Sequence, residues 1–292
     1  MPQQPGRSQA SSSQPNHSQA AWDPTLGDPV QPASRVLTLN VSRIRDFQRC
    51  RRMFFLRWVL RLAGEEANDT DASWIGSTTH EALHALHQKG TTAQHVVVDA
   101  TPDSVTGAGE MLESVTGIDE MLATDPRVGT LIRTHMIICP NENAEYLGGE
   151  LDARWLIARK SVLLTGRFDA VWRYPDGTIE VRDYKTGRCP DSLDGDLGAA
   201  IYLLLAANLE EARTSAGELR PIRVVYENLA APEGRLVAVD ASRSLLRDAF
   251  NEVVALAEHI RKEKTFPANP SSANCRSCSY RNSCPYSEAK NE

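Results

Sequence analysis

The spacing of hydrophobic and polar positions changes several times along the chain. Ile44, Phe47, Phe54, Phe55, Trp58 and Leu62 recur at helical intervals, which predicts one helix from an N-cap at Ser42 to about Leu62. A second helix is expected from about Trp74 to Lys89. From about Tyr146 the pattern turns to alternation, and Glu150–Ala158, Val162–Tyr174 and Thr178–Lys185 read as three consecutive strands. The turn Pro175-Asp176-Gly177 joins the last two as a hairpin. A helix at about Leu193–Arg213, strands at Ile222–Leu229 and Gly234–Asp240, and a long helix at Ser242–Lys264 complete the pattern. Helices, three strands, a helix and a further strand predict a mixed α/β domain.

Residues 1–34 are rich in Gln, Ser and Pro without periodicity and read as a disordered tail. The domain is expected over 35–292, with an insertion at about 90–145 and a loop-like tail after Phe266. The insertion holds a short tandem repeat, SVTGAGEMLE then SVTGIDEML, over Ser104–Leu122; its ten-residue period is too short for a solenoid unit.

The chain has 292 residues, 41% of them apolar, which suffices for a substantial core. It has no apolar run long enough for a membrane span and no secretory signal at its start, so a cytoplasmic protein is expected. The net charge of −6 argues against a surface coated in nucleic acid, but the charge is uneven. Val41–Arg61 holds seven arginines and one acid, Asp46. Arg45, Arg49 and Arg52 lie away from the apolar stripe of the first helix. They form either a solvated face or a set of phosphate contacts to DNA.

The strand Thr178–Lys185 carries the most informative chemistry. Ile179, Val181, Asp183 and Lys185 share one face, and Glu180, Arg182 and Tyr184 the other. A face that begins apolar ends in a carboxylate and an amine, which is costly unless the pair is neutralised or binds a metal. With the turn at Pro175–Gly177, Tyr174 pairs with Thr178 and Asp169 falls opposite Asp183, with Cβ atoms roughly 4.5–5.5 Å apart. A divalent cation would remove the repulsion between these carboxylates, and oxygen ligands suit Mg²⁺ or Mn²⁺. Lys185 could then handle the attacking water or steady charge on a phosphate. Taken alone, Asp-x-Lys is equally a surface ion pair near a sheet edge.

The segments Gly166-Arg-Phe-Asp169 and Asp183-Tyr-Lys-Thr-Gly187 resemble the second and third motifs of the PD-(D/E)XK nuclease superfamily, most closely its RecB-like and Cas4-like exonuclease branch. The helix motif G-x-x-x-H of that branch is matched by Gly76 to His80, and the start SRIRDFQRCRRMFFLRWVLRL is similar to the opening of these domains. The resemblance implies a restriction-endonuclease-like αβββαβ core. It also implies a metal held by His80, Asp169, Asp183 and the main-chain carbonyl of Tyr184, with Lys185 as the catalytic lysine. Phosphodiester hydrolysis in DNA recombination and repair follows, beside a helicase or repair complex. A Cas4-like role in CRISPR spacer acquisition and a non-catalytic DNA-binding module on the same fold are the alternatives. The chain has no helicase P-loop of its own. One departure stands out. The branch carries Q-x-x-x-Y on the helix after the third motif, where the Gln touches substrate; Tyr202 matches the Tyr, but Gly198 replaces the Gln.

Two further patterns bear on metals. His80-Glu81-Ala82-Leu83-His84 matches the zinc-peptidase pattern H-E-x-x-H but has no third ligand at a familiar spacing. The tail reads Cys275-x₂-Cys278-x₅-Cys284, a metal signal that needs a fourth ligand, for which Cys50 is the candidate. Zinc and a [4Fe–4S] cluster both satisfy the spacing. The resemblance favours iron–sulfur, stapling the tail at 266–286 to the first helix.

Overall fold

A computed structural model describes residues 36–64, 71–88, 125–139 and 144–291. The predicted tail at 1–34 and the tandem repeat at 104–122 lie outside the described residues. In chain order the elements are β1 (Leu37–Leu39), α1 (Val41–Arg49), α2 (Arg51–Phe54) with a π-turn over Phe55–Val59, α3 (Asp71–Gln88), α4 (Pro126–Ile138), β2 (Glu145–Ile157), β3 (Val162–Arg173), β4 (Ile179–Lys185), α5 (Leu197–Ala206), β5 (Ile222–Asn228), β6 (Arg235–Asp240), α6 (Arg243–Lys262) and α7 (Ser272–Arg276). Among the described residues no helix is long and apolar enough to cross a membrane.

The six strands form one mixed sheet in the order β1-β3-β4-β5-β6, with β2 on the other edge of β3. β2 pairs antiparallel with almost the whole length of β3. The opposite edge of β3 is divided. β1 pairs there in parallel at Val162–Leu164, and β4 antiparallel only from Ala170 to Arg173. Residues 165–169 therefore face a notch in the sheet, and Asp169 sits at its rim.

Both faces of the sheet are covered, so β4 is buried on both sides. Ile179 and Val181 belong to a core with Phe47, Phe54, Leu203 of α5 and Val253 of α6. Trp172 and Tyr184 belong to a second core with Leu83 and Leu86 of α3 and Leu131 and Ile132 of α4. Burial on the second face also encloses charge. Arg182, 2% exposed, donates to Glu180 at 2.7 Å and to Glu227 on β5 at 2.6 Å. A guanidinium between two carboxylates tolerates burial because each lone pair and proton finds a partner.

Several boundaries differ from expectation, each for a local reason. The N-cap of the first helix is Asn40, whose side chain accepts from Arg43 N at 2.8 Å, and Ser42 lies inside the helix. The single helix expected to Leu62 is broken at Cys50, which is extended (φ −158°, ψ 109°), and Leu62 is exposed. The helix after β4 is shorter than expected because Asp196 caps it through Ala199 N at 2.8 Å. The strand expected from Glu150 begins at Glu145. β1 and α4 were not anticipated.

Candidate metal centre and nucleic-acid cleft

The β3–β4 hairpin forms as its turn residues dictate. Tyr174 N donates to Thr178 O at 2.9 Å, Gly177 takes φ +86°, and Asp176 Oδ1 accepts from Thr178 N. The ladder runs from Arg173–Ile179 to Ala170–Arg182. The next pair in that register is Asp169 and Asp183, but the ladder ends before it and the strands part. Asp169 uses the gap: its Oδ2 accepts from the Tyr184 amide at 2.7 Å, a bond from side chain to main chain where a ladder bond would otherwise lie.

α3 supplies the third group. His80 Nδ1 lies 3.3 Å from Asp169 Oδ1, and its Nε2 lies 3.0 Å from the Tyr184 carbonyl oxygen. Gly76, one turn earlier, allows the approach, because a Cβ there would stand 3.3 Å from Thr186 Oγ1 at the end of β4. Gly166 does the same for α5, since a Cβ would meet Leu205 Cδ1 at 2.7 Å. At these two glycines of the sequence motifs a neighbouring side chain packs directly against the backbone.

The sequence reading missed Glu150. In the β2–β3 ladder Gly149 pairs with Ala170 and Leu151 with Phe168, so Glu150 faces Asp169 from the other side. Asp169 is thus flanked across adjacent strands by Glu150 and Asp183. Ligand atoms of His80, Glu150 and Asp169 lie within 4.8 Å of one another. Glu150 is held at φ +52°, a left-handed conformation unusual for a side-chain-bearing residue. Beside it, a Cβ on Gly149 would overlap the Tyr146 hydroxyl and stand 2.6 Å from the Asp169 carbonyl oxygen. Counting back from the turn that joins β2 and β3 would have revealed Glu150.

The electrostatics fit a cation. Asp183 is 8% exposed, and burial pushes its carboxyl up to about 6; Lys185 opposes that shift and the nearby Asp169 adds to it. Burial lowers the pKa of His80, but the Asp169 hydrogen bond and the two aspartates outweigh it and raise the value overall. Closely set carboxylates, a histidine and a main-chain carbonyl are a donor set for a hard or borderline divalent ion. Lys185 is ion-paired with Asp183, and its Nζ stands 4.4 Å from the centre of the Tyr226 ring.

The predicted nucleic-acid residues divide. A 620 Å³ cleft opens beside Asp169, lined among others by Arg154, Thr165, Arg167 and Tyr202. Tyr202 packs its ring edge-on against Phe168 at 5.4 Å. Arg45 is exposed at the N-terminal end of α5. Its Nη2 would lie 3.2 Å from a Cβ at Gly198, where Tyr226 Oη and Asp196 Oδ1 crowd the same point at 2.8 and 2.9 Å. The side chains of Tyr226, Asp196 and Arg45 thus fill the space beside Gly198. Arg49 and Arg52 both make contacts within the protein. Arg49 Nη2 donates to Asn274 O at 2.5 Å and Ser277 Oγ at 2.6 Å in the tail. Arg52 is 5% exposed, with its guanidinium 5.4 Å from the Phe55 ring centre.

The peptidase pattern does not converge. His84 turns away from His80, toward Gln88 Nε2 at 2.8 Å and the Tyr146 hydroxyl at 3.5 Å. Cys50, Cys275, Cys278 and Cys284 line one apolar pocket with Met53 and Leu56. None of the four is in a disulfide.

No curated protein matches the chain. Among solved structures, a protein of Eubacterium rectale named as a candidate exonuclease is similar at 12% identity and a TM-score of 0.44, over 84% of this chain and 87% of that one. The protein SSO0001 is similar at 17% identity and a TM-score of 0.37, over 85% and 86%. The family model of the PD-(D/E)XK nuclease superfamily matches residues 38–285, and the chain belongs to that superfamily.

Proposed function

We propose that the chain is a Mg²⁺- or Mn²⁺-dependent deoxyribonuclease, acting as an exonuclease in DNA recombination and repair. The observation that carries this is the row Glu150–Asp169–Asp183 across three strands, closed by His80 and the Tyr184 carbonyl and followed by Lys185. The ion would be held by His80, Asp169, Asp183 and the Tyr184 carbonyl, with Glu150 completing the set. When bound, it supplies Lewis-acid activation of water and of the phosphoryl oxygens.

The protein's own groups do the rest. Asp169 holds Tyr184 through its amide N–H, and the Tyr184 carbonyl oxygen lies 3.0 Å from His80 Nε2, so both groups fix the end of β4. Lys185, which is ion-paired with Asp183, would place positive charge where a phosphate enters. Tyr226 beneath it limits where the ammonium can go. Arg45 and Tyr202 border the approach to the phosphate, taking the place of the glutamine that the RecB-like branch carries at position 198. The four cysteines would hold a [4Fe–4S] cluster in the manner of that branch. Hydrogen bonds that already join the two segments support this: Asn269 Nδ2 to Arg49 O at 3.0 Å, Asn269 N to Cys50 Sγ at 3.5 Å and Tyr280 Oη to Leu62 O at 2.9 Å. A helicase or repair complex would supply the unwound strand.

The test is cleavage of single- and double-stranded DNA with Mg²⁺ or Mn²⁺ by the wild type and by Asp183→Ala. Loss of cleavage in the variant is expected, and equal cleavage by both refutes the assignment. Anaerobic purification and visible absorption test the cluster; a colourless protein with one equivalent of zinc refutes iron–sulfur.

A further inference from the structure

On the face of the sheet opposite α5, a second set of ligating groups meets. His87 comes from the last turn of α3, His135 from α4, and Cys139 from the residue that ends α4. Their ligand atoms lie within 4.8 Å of one another. His87 is 3% exposed, His135 is fully buried and Cys139 is half-buried. None of the three takes part in the carboxylate site.

We propose that His87, His135 and Cys139 form a separate binding site for one zinc-class divalent ion, pinning α3 to α4 beneath the catalytic strand.

Orientation supports this first. Glu227 Oε1 lies 2.5 Å from His135 Nδ1. A ring that donates from Nδ1 to a carboxylate presents its Nε2 lone pair outward, the arrangement that fixes metal-binding histidines. That Nε2 faces His87 Nε2 at 2.9 Å. Two nitrogens on one zinc at about 2.0–2.1 Å each stand about 3.3 Å apart, so a small opening of the pair admits the ion.

Charge supports it second. Glu180, Arg182 and Glu227 are each 3% exposed or less; Arg223 reaches Glu180 at 4.0 Å, and Glu227 lies between Arg182 and His135. A divalent ion with the Cys139 thiolate and two neutral histidines would add one positive charge beside the Glu227 carboxylate.

A third observation is a polar group without a mate. The Tyr184 hydroxyl is buried and has no hydrogen-bond partner among the described residues. Its ring stands 5.3 Å from that of His135, and it lies within electrostatic reach of Glu227 and Cys139. A buried hydroxyl left so costs about 1–3 kcal/mol, and water on an open position of the ion would satisfy it. Nitrogen and thiolate donors select zinc over Mg²⁺ or Mn²⁺, so the two sites would not compete for one metal.

The test reads metal and thiol chemistry, so its outcome is independent of nuclease activity. Zinc-free full-length protein is titrated with Zn²⁺ while each cysteine's alkylation by iodoacetamide is followed by mass spectrometry. Cys139 is expected to become at least tenfold slower to alkylate near one equivalent in a Cys275→Ser background, where the tail cysteines are compromised. In the Cys275→Ser background, titration with Co²⁺ should give thiolate-to-cobalt charge-transfer absorption that is kept when Asp183→Ala is added and falls when Cys139→Ser is added. Unchanged alkylation of Cys139 with saturating Zn²⁺ overturns the proposal, and needs no variant of the site to fold. Equal cobalt absorption in Cys139→Ser and its parent overturns it as well.

Discussion

The glycine at position 198 allows a sharp prediction, because the resemblance and the structure point in opposite directions. If the family's glutamine were simply missing, Gly198→Gln would restore a DNA contact and tighten binding. The structure forbids this. A Cβ at 198 stands 2.8 Å from Tyr226 Oη and 2.9 Å from Asp196 Oδ1, and those two atoms are themselves bonded at 3.0 Å. Asp196 cannot retreat freely, since it also accepts from Ala199 N and caps α5. Losing a hydrogen bond to a carboxylate costs about 1.5–3 kcal/mol, and loosening the cap costs about 1 kcal/mol. Replacing a helical glycine returns roughly 0.5–1 kcal/mol. The net loss of about 1.5–3.5 kcal/mol corresponds to a drop in Tm of roughly 3–14 °C for a domain of this size. The Tyr226 ring lies under Lys185, so the same displacement moves the Lys185 ammonium, and on the proposed function kcat should fall by about tenfold or more. Thermal unfolding and DNA-cleavage kinetics on the same preparations measure both effects. Gly198→Ala carries the same Cβ and should show most of the stability loss. A glutamine variant with wild-type Tm and tighter DNA binding would refute the reasoning.

Other expectations follow from the same geometry. Gly149→Ala drives a Cβ into the Asp169 carbonyl and should lower kcat by roughly a hundredfold or more while circular dichroism stays folded; a fully active variant would show that Glu150 and Asp169 need not be held as they are. Leu83→Ala opens a cavity at a fully buried position and should cost about 2–5 kcal/mol in urea unfolding. Glu227→Ala leaves Arg182 one carboxylate short in a dry core and should cost about 3–5 kcal/mol, seen in the same assay; near-neutral stability would mean that water reaches the network. Arg45→Ala should weaken DNA binding evenly across sequences and flatten the salt dependence by about 0.7–0.9 in log–log slope, whereas Arg49→Ala should leave that slope alone and destabilise the tail instead.

Much of the candidate site was legible because hairpins count. The turn Pro175–Gly177 set a register that puts Asp169 across from Asp183, and β4 keeps it to within one pair of that point. The same arithmetic on the β2–β3 hairpin would have found Glu150, but the bulge at Tyr146/Gly148 and two adjacent glycines hide the strand's true start at Glu145. α4 had a readable beginning, an Asp125 cap before Pro126, yet it follows the tandem repeat and was absorbed into the insertion. The break at Cys50 was not legible, since no local residue forbids helix there. It is imposed from more than 200 positions away by the tail, which takes Arg49 for itself. The burial of Arg52 is equally tertiary. Arginine on a helix reads as surface until its neighbours are known.

The clasp between the end of α1 and the tail also bears on how the domain is made. Arg49 reaches partners 225 and 228 residues downstream, and Tyr280 reaches back 218 to Leu62. Contacts of that span are slow to form, because the intervening chain must be brought round before they return any energy. During synthesis, the first helices emerge with Phe47, Phe54 and Phe55 uncovered and wait for nearly the whole domain to follow. The nascent chain therefore has a long interval of exposed aromatic surface, ended when the cysteine-bearing tail docks and the first helices acquire their final seat.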